Sequence, residues 1–359
     1  MFKLLKKSKK SKARLGFLKT ERGLIRSPFF MPIATKGAVK NLVPEEIESQ
    51  IILSNTYHLF LRPGIKTLKK AGGLHKFMNW PKPILTDSGG YQVFSLAKIR
   101  RVNDQGVEFS SSEGKVFLAP EKSLKIQEAI GSDIRMVLDV CPPYNSKRKE
   151  VEKAVERTAL WAEKSKKYFQ KSKEKSLLFG IIQGGIFKDL RKRSLKDISA
   201  FDFDGYALGG LAVGEPEKEM FKVLSFLSDK LPEQKPHYLM GVGFPEQMIE
   251  AVKLGIDMFD CTIPTRHARH GEIFVFKKKS IKGKFYEIIK IRKKKYSNDF
   301  RPLSKDCSCS SCQNFSRSYL HHLFRSKEPL YGRLATIHNL KFYLTLMERI
   351  RYGIKKGEI

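Results

Sequence analysis

No run of 18 or more apolar residues occurs in the sequence, so no membrane-spanning helix is expected. Its first residues, MFKLLKKSKKSKARLGF, are basic and lack the apolar stretch of a secretory signal. Residues 1–27 therefore read as a basic extension, at its simplest a fraying tail, in the alternative an RNA-gripping arm. Acid is scarce: 37 Asp and Glu stand against 69 Lys and Arg, a formal net charge of +32. Such an excess attracts polyanions, nucleic acid first and an anionic membrane surface second. The lysines are spread along the chain, as a generally lysine-rich composition would also spread them, so charge alone does not select RNA. Cysteine is scarce as well, at five residues. Three of them crowd into six positions, which points to a metal in a reducing compartment, hence a cytoplasmic location, and not to disulfides.

What is present is a rhythm. Short apolar runs stand at PFFMPIAT (28–35), IILSNT (51–56), PILTD (83–87), IRMVLDV (134–140), LLFGIIQ (177–183), GYALGG (205–210), HYLMGVG (237–243) and DMFDCTIP (257–264). Several are apolar without alternation, as strands buried on both faces are. Amphipathic helical patterns fill gaps at 121–131, 149–171, 187–199 and 245–255. Eight strands alternating with helices imply a closed (β/α)8 TIM barrel over residues 28–270. An insertion at about 91–120 reads as a hairpin with polar turns. Residues 271–359 break the rhythm: a basic hairpin over 274–300, then a metal-binding module and C-terminal helices.

The active site of such a barrel lies at the C-terminal ends of its strands. Here the third strand ends in Asp87, the fourth in Asp139, the fifth in Gln183 and the eighth in Asp260. Any one of these acids could be a helix N-cap. Three on one rim are costly to bury unless they are paired or used. Two carboxylates facing one anomeric carbon suit glycosidic chemistry, one attacking and the other moving the proton. A third carboxylate with an amide can read a purine edge. Gly89-Gly90 and Gly209-Gly210 let backbone approach a flat ligand. Tyr91 could stack on a base or pack in the core.

Cys307, Cys309 and Cys312 have metal-ligand spacing, and with His338 they make a tetrahedral structural zinc set. His321 and His322 are rival ligands by proximity. Cys141 and Cys261 read as small apolar residues outside the set.

The motifs TDSGGYQVFSL, LDVCPPY, FGIIQGG, GGLAVGE, YLMGVG, DMFDCTIPTRHAR, Cys-x-Cys-x-x-Cys and TIHNL run in order from about residue 28 to 345. Together they resemble the tRNA-guanine transglycosylases (queuine tRNA-ribosyltransferases) of the bacterial type. The resemblance implies exchange of the wobble guanine in GUN anticodons for a free 7-deazaguanine base. It implies that Asp260 is the nucleophile and Asp87 the general acid/base. Asp139 and Gln183 would bind the purine edge with the backbone of Gly210 and Leu211, and Tyr91 and Met240 would sandwich the base. Arg266 and Arg269 would contact the anticodon, and one structural zinc would sit on the Cys3His set. The family works as a homodimer on the tRNA anticodon stem-loop. The competing readings are a relative modifying the tRNA core, a noncatalytic subunit of the same fold and a barrel hydrolase. The retained Asp87 and Asp260 oppose the second, and the charge with the Arg pair opposes the third.

One position departs from the family pattern. Bacterial members carry an acid between the Asp and Cys of the fourth-strand motif, associated with a backbone flip that adapts the pocket to the aminomethyl base; here Val140 stands there. Queuine thereby becomes a candidate incoming base, while LAVGE and Cys141 favour the aminomethyl precursor. The lysine-rich stretch 277–295 is longer than usual, for phosphate contacts or as a solvated hairpin.

Overall fold

A computed structural model describes residues 1–96, 98–111, 114–172 and 174–359. Its centre is a ring of eight parallel strands: Phe29–Pro32, Ile52–Ser54, Ile84–Thr86, Ile134–Met136, Leu177–Ile182, Gly205–Leu208, His237–Leu239 and Met258–Cys261. Each pairs with its sequence neighbours, and the eighth pairs with the first. A bridge between Ile33 and Leu53, with Ala34 N donating to Leu53 O at 2.6 Å, joins the first to the second and closes the (β/α)8 barrel. The strands are shorter than the apolar runs that signalled them. The polar residues ending each run leave the ladder and form the rim, because the loops there must turn outward to the next helix.

Nearly all strand side chains are buried, as parallel strands covered on both faces require. Helices Pro120–Ile130, Arg148–Phe169, Lys188–Ser199, Glu217–Ser228 and Pro245–Lys253 cover the outside with one apolar stripe each. The first ends where expected, at Gly131, whose φ of 79° suits a left-handed cap.

The insertion is more than a hairpin. A helix at Gly90–Leu96 leads into a three-stranded antiparallel meander, Lys98–Asn103, Gly106–Ser111 and Gly114–Leu118. The third strand exists because Val116 and Leu118 alternate with exposed residues and bury one face. Trp161 Nε1 and Lys164 Nζ donate to Asp104 O at 3.2 and 2.7 Å, tying the first turn to the helix Arg148–Phe169.

Nor do the first residues fray. Phe2–Lys7, Arg14–Thr20 and Gly23–Ser27 form an antiparallel sheet with Phe2, Leu18 and Ile25 buried among the lysines. Arg14 anchors it to the bottom of the barrel. Its Nε bonds Asp257 Oδ1 at 3.1 Å, Nη2 bonds Asp257 Oδ2, and Nη1 and Nη2 reach the carbonyls of Glu233 and Lys235 at 2.6 and 2.7 Å. Both side chains of this ion pair are withdrawn from water.

C-terminal to the barrel, Glu272–Phe276 pairs with Tyr286–Lys290 in the basic hairpin. The helix Pro329–Lys356 then packs along the first strand and the N-terminal sheet. Among the described residues no helix is long and apolar enough to cross a membrane.

Removing the guanidinium would leave Asp257 buried and unpaired. Arg14→Ala should cost about 3–5 kcal/mol in urea-induced unfolding; a loss under about 1 kcal/mol, the range of exposed pairs, would show that the sheet is only loosely attached.

Candidate active site

Asp87, Asp139 and Asp260 stand on the C-terminal rim at 7%, 4% and 7% exposure, and Gln183 at 1%. Each acid is held by donors from neighbouring loops. Asp87 Oδ1 accepts Thr56 N at 2.8 Å and Gly89 N at 3.2 Å, and Oδ2 accepts the Asn55 side chain. Burial outweighs these bonds and pushes the Asp87 carboxyl up to about 6.

Asp139 Oδ1 accepts Ser88 Oγ at 2.9 Å, and Oδ2 accepts Gln183 Nε2 at 2.7 Å. Its carboxyl is also raised by burial. Gly90 is required beside it, since a Cβ there would lie 2.7 Å from Asp139 O and 2.8 Å from Oδ1. Gln183 lies flat against Gly209-Gly210: a Cβ on Gly210 would be 2.4 Å from Gln183 Oε1. Among the described residues that Oε1, which is buried, has no hydrogen-bond partner, an acceptor waiting for a donor.

Asp260 Oδ1 accepts Tyr238 Oη at 2.5 Å and Gly241 N at 2.9 Å. Both bonds fall on one oxygen; no donor from the described residues reaches the other. Burial raises this carboxyl too. The Tyr238 hydroxyl is raised well above its ordinary value by burial and by the charges of Asp260 and Asp87 together, so one phenol senses both acids.

The remaining candidates lie on the loops and helices that follow the same strand ends. The Tyr91 ring is 50% exposed, so it is not a core residue. Met240 is half-buried beside Gly241, Gly210 is half-buried and Leu211 buried. Arg266 is exposed on Ile263–Arg269, the helix that follows Asp260; Arg269 is half-buried, with Nη1 on Thr265 O at 2.9 Å. Four residues were not singled out from the sequence: Asn55, Ser88, Tyr238 and Glu215. Glu215 accepts the backbone N–H of Ala212 and of Val213, the latter at 3.0 Å, and so shapes the GGLAVGE loop. Asn55 and Ser88 lie at or beside the ends of apolar runs, the one signal that could have found them. Tyr238 reads as an ordinary core aromatic.

Beside the barrel, Cys307, Cys309, Cys312 and His338 bring their ligand atoms within 4.8 Å of one another. His338 Nδ1 is 3.6 and 3.2 Å from the sulfurs of Cys309 and Cys312. Tetrahedral N and S ligands at ordinary bond lengths are roughly 3.6 Å apart, so the set fits a metal ion. His338 Nε2 donates to Phe274 O at 2.9 Å, which fixes the tautomer with Nδ1 free to ligate. His321 is not a ligand; its Nδ1 is 2.7 Å from Ile291 O. His322 lies outside the cluster, and Cys141 and Cys261 are buried free thiols.

A closed parallel barrel with buried carboxylates on its C-terminal rim and a Cys3His cluster on its flank belongs to the (β/α)8 class of enzymes. Within it, the sequence profile described as queuine tRNA-ribosyltransferase matches residues 8–359. The chain is 49% identical over 363 residues to the queuine tRNA-ribosyltransferase of Thermoanaerobacter sp. (strain X514), covering 100% of this chain and 94% of that one. It is 49% identical over 353 residues to that of Vibrio campbellii (strain ATCC BAA-1116), at 97% and 91% coverage. It is 49% identical over 366 residues to that of Dictyoglomus turgidum (strain DSM 6724 / Z-1310), at 100% and 92%. The chain belongs to the queuine tRNA-ribosyltransferase family.

Elemental analysis of the purified protein should find about one metal ion per chain. Cys309→Ser should lose most of it and unfold at a lower temperature. Unchanged metal content in that variant would remove Cys309 from the ligand set.

Proposed function

We propose that this pentosyltransferase exchanges guanine at the wobble position of GUN-anticodon tRNAs (those for Asp, Asn, His and Tyr) for a free 7-deazaguanine base. The observation that carries the reading is the pair Asp87 and Asp260: two buried, preorganised carboxylates, one with an oxygen that takes no donor from the described residues. Asp260 attacks the ribose anomeric carbon with that oxygen, and the bond to N9 of guanine breaks. Asp87, as the acid, protonates the leaving base. The result is a covalent Asp–ribose ester. The incoming base then gives its N9 proton to the Asp87 carboxylate, attacks the same carbon and releases Asp260. Two inversions give net retention, and the exchange is balanced without a redox or nucleotide cofactor.

The pocket's polarity matches the purine. The Asp139 carboxylate and the free Gln183 Oε1 accept from the N–H edge of the purine, while the backbone N–H groups of Gly210 and Leu211 face the 6-oxo side. Tyr91 and Met240 take the two faces of the ring. Arg266 and Arg269, with the +32 charge behind them, hold the anticodon phosphates. Zinc on Cys307, Cys309, Cys312 and His338 supplies only structure, bracing the C-terminal helices. We assign the working form as a homodimer, located in the cytoplasm.

The test is exchange of labelled guanine on an unmodified anticodon stem-loop containing UGU. Asp260→Ala should abolish both exchange and the denaturation-resistant RNA adduct; exchange at the normal rate would overturn the nucleophile assignment. Release of guanine needs Asp87 protonated. Because burial holds its carboxyl at about 6, single-turnover release should slow as pH rises, by about tenfold per unit above pH 7. The expected measurement is a falling basic limb; a rate flat from pH 6 to 9 would exclude Asp87 as the acid. Competition between the aminomethyl base and queuine in the same assay should favour the aminomethyl base, because Glu215 and Cys141 are retained; preference for queuine would assign Val140 the deciding role.

A further inference from the structure

Arg191, on the helix Lys188–Ser199, is fully buried and has no part in the chemistry above. Among the described residues no carboxylate pairs with its guanidinium. All of its bonds go to main-chain carbonyls: Nε to Gly185 O at 2.8 Å, Nη1 to Ile182 O and Gly209 O at 2.8 Å each, and Nη2 to Gly210 O at 3.1 Å. These carbonyls lie at the rim ends of the fifth and sixth strands and in the loops that follow. Burial of the charge draws its pKa down to about 10. A buried cation with no carboxylate in direct contact is expensive; this one is tolerated because its donors are used and the Glu215 charge lies near enough to favour it.

The consequence follows from peptide geometry. In a trans peptide the C=O and the next N–H point in opposite directions. Arg191 draws the carbonyls of Gly209 and Gly210 to one side, so the N–H groups of Gly210 and Leu211 point to the other. Gly210 has φ 62°, the left-handed conformation in which successive N–H groups converge on one acceptor. The Gly210 N–H faces the Cys141 thiol, two residues beyond Asp139. At the far end of the loop Glu215 holds the N–H groups of Ala212 and Val213. Of the four N–H groups from Gly210 to Val213, Glu215 takes the last two, and the first two point away from Arg191.

We propose that Arg191 is a positioning residue that turns the Gly210 and Leu211 N–H groups toward the 6-oxygen of the purine, and so sets the pocket's selection for that oxygen. The inference rests on the base-exchange reading. Lysine cannot replace it, since one ammonium with three donors does not span four carbonyls from one planar fork.

The probe is 6-thioguanine, which keeps the N1–H and 2-amino groups that Asp139 would bind and changes only the acceptor at position 6. Inhibition constants against labelled guanine exchange are measured for wild type and Arg191→Lys. The wild type should prefer guanine by at least about tenfold, the value of a hydrogen bond to a well-placed acceptor. Arg191→Lys should reduce the preference to about twofold while the KM for the stem-loop stays within about twofold. An unchanged preference in Arg191→Lys overturns the inference and leaves the base-exchange reading intact. Absence of any preference in the wild type also overturns it, whether or not the variant folds. Exchange of neither base by the wild type overturns the parent reading, and this inference with it.

Discussion

Three carboxylates are withdrawn from water on one rim, and much of the molecule is arranged around keeping them there. Removing a carboxylate from water favours its neutral form and costs free energy that hydrogen bonds must offset. Asp87, Asp139 and Asp260 are each offset differently: by two backbone N–H groups and the side-chain amides of Asn55 and Gln92, by a hydroxyl and an amide, by a phenol and a backbone N–H. Parallel closure makes this possible. Strands running in one direction put their C-terminal ends at one face, so each acid can draw donors from the loop beside it. In an antiparallel ring the same residues would alternate between opposite ends.

The acids were legible because they interrupt apolar runs. A charged residue at the end of LTD, VLD or MFD is conspicuous when the rest of the strand is buried on both faces. The Cys3His set was legible in its thiols from spacing, while His338 lies far along the chain and had to be chosen against His321 and His322, which the structure places outside the cluster. Tyr238 and Arg191 were not legible, for different reasons. Tyr238 occupies a strand position where any aromatic would pack. Arg191 sits in FKDLRKRSLKD, a basic helix whose other cations face solvent, and only the burial of that one position distinguishes it. The N-terminal sheet was hidden by composition: lysines between Phe2, Leu18 and Ile25 obscure an alternation that forms only when Arg14 finds Asp257, which lies 243 residues away.

Rigidity is distributed to suit the chemistry. The bottom of the barrel is stapled by the Arg14–Asp257 pair, and the flank by Asn339, whose side chain bonds Phe274 N, Pro264 O and Glu272 O. Those bonds connect the long C-terminal helix to the segment immediately after Asp260. The module that carries the metal ligands thus braces the helix bearing Arg266 and Arg269, although no ligand approaches the acids. A metal held by that cluster would act on the rim through this brace, by limiting how far the segment after the eighth strand can shift.

The same reasoning bears on Val140. An apolar side chain next to Asp139 would be expected to loosen the loop if the usual acid held it in place. The loop is held from elsewhere: Val140 N donates to Thr158 Oγ1 at 3.0 Å, a bond between main chain and the helix Arg148–Phe169 that does not depend on the residue-140 side chain. The residue-140 side chain therefore takes no part in holding Asp139, whose carboxylate is bound by Ser88 and Gln183. Glu215 is the carboxylate that holds the neighbouring rim loop, and it accepts the Ala212 N–H. A carboxylate that holds the Ala212 N–H turns the Leu211 carbonyl the other way.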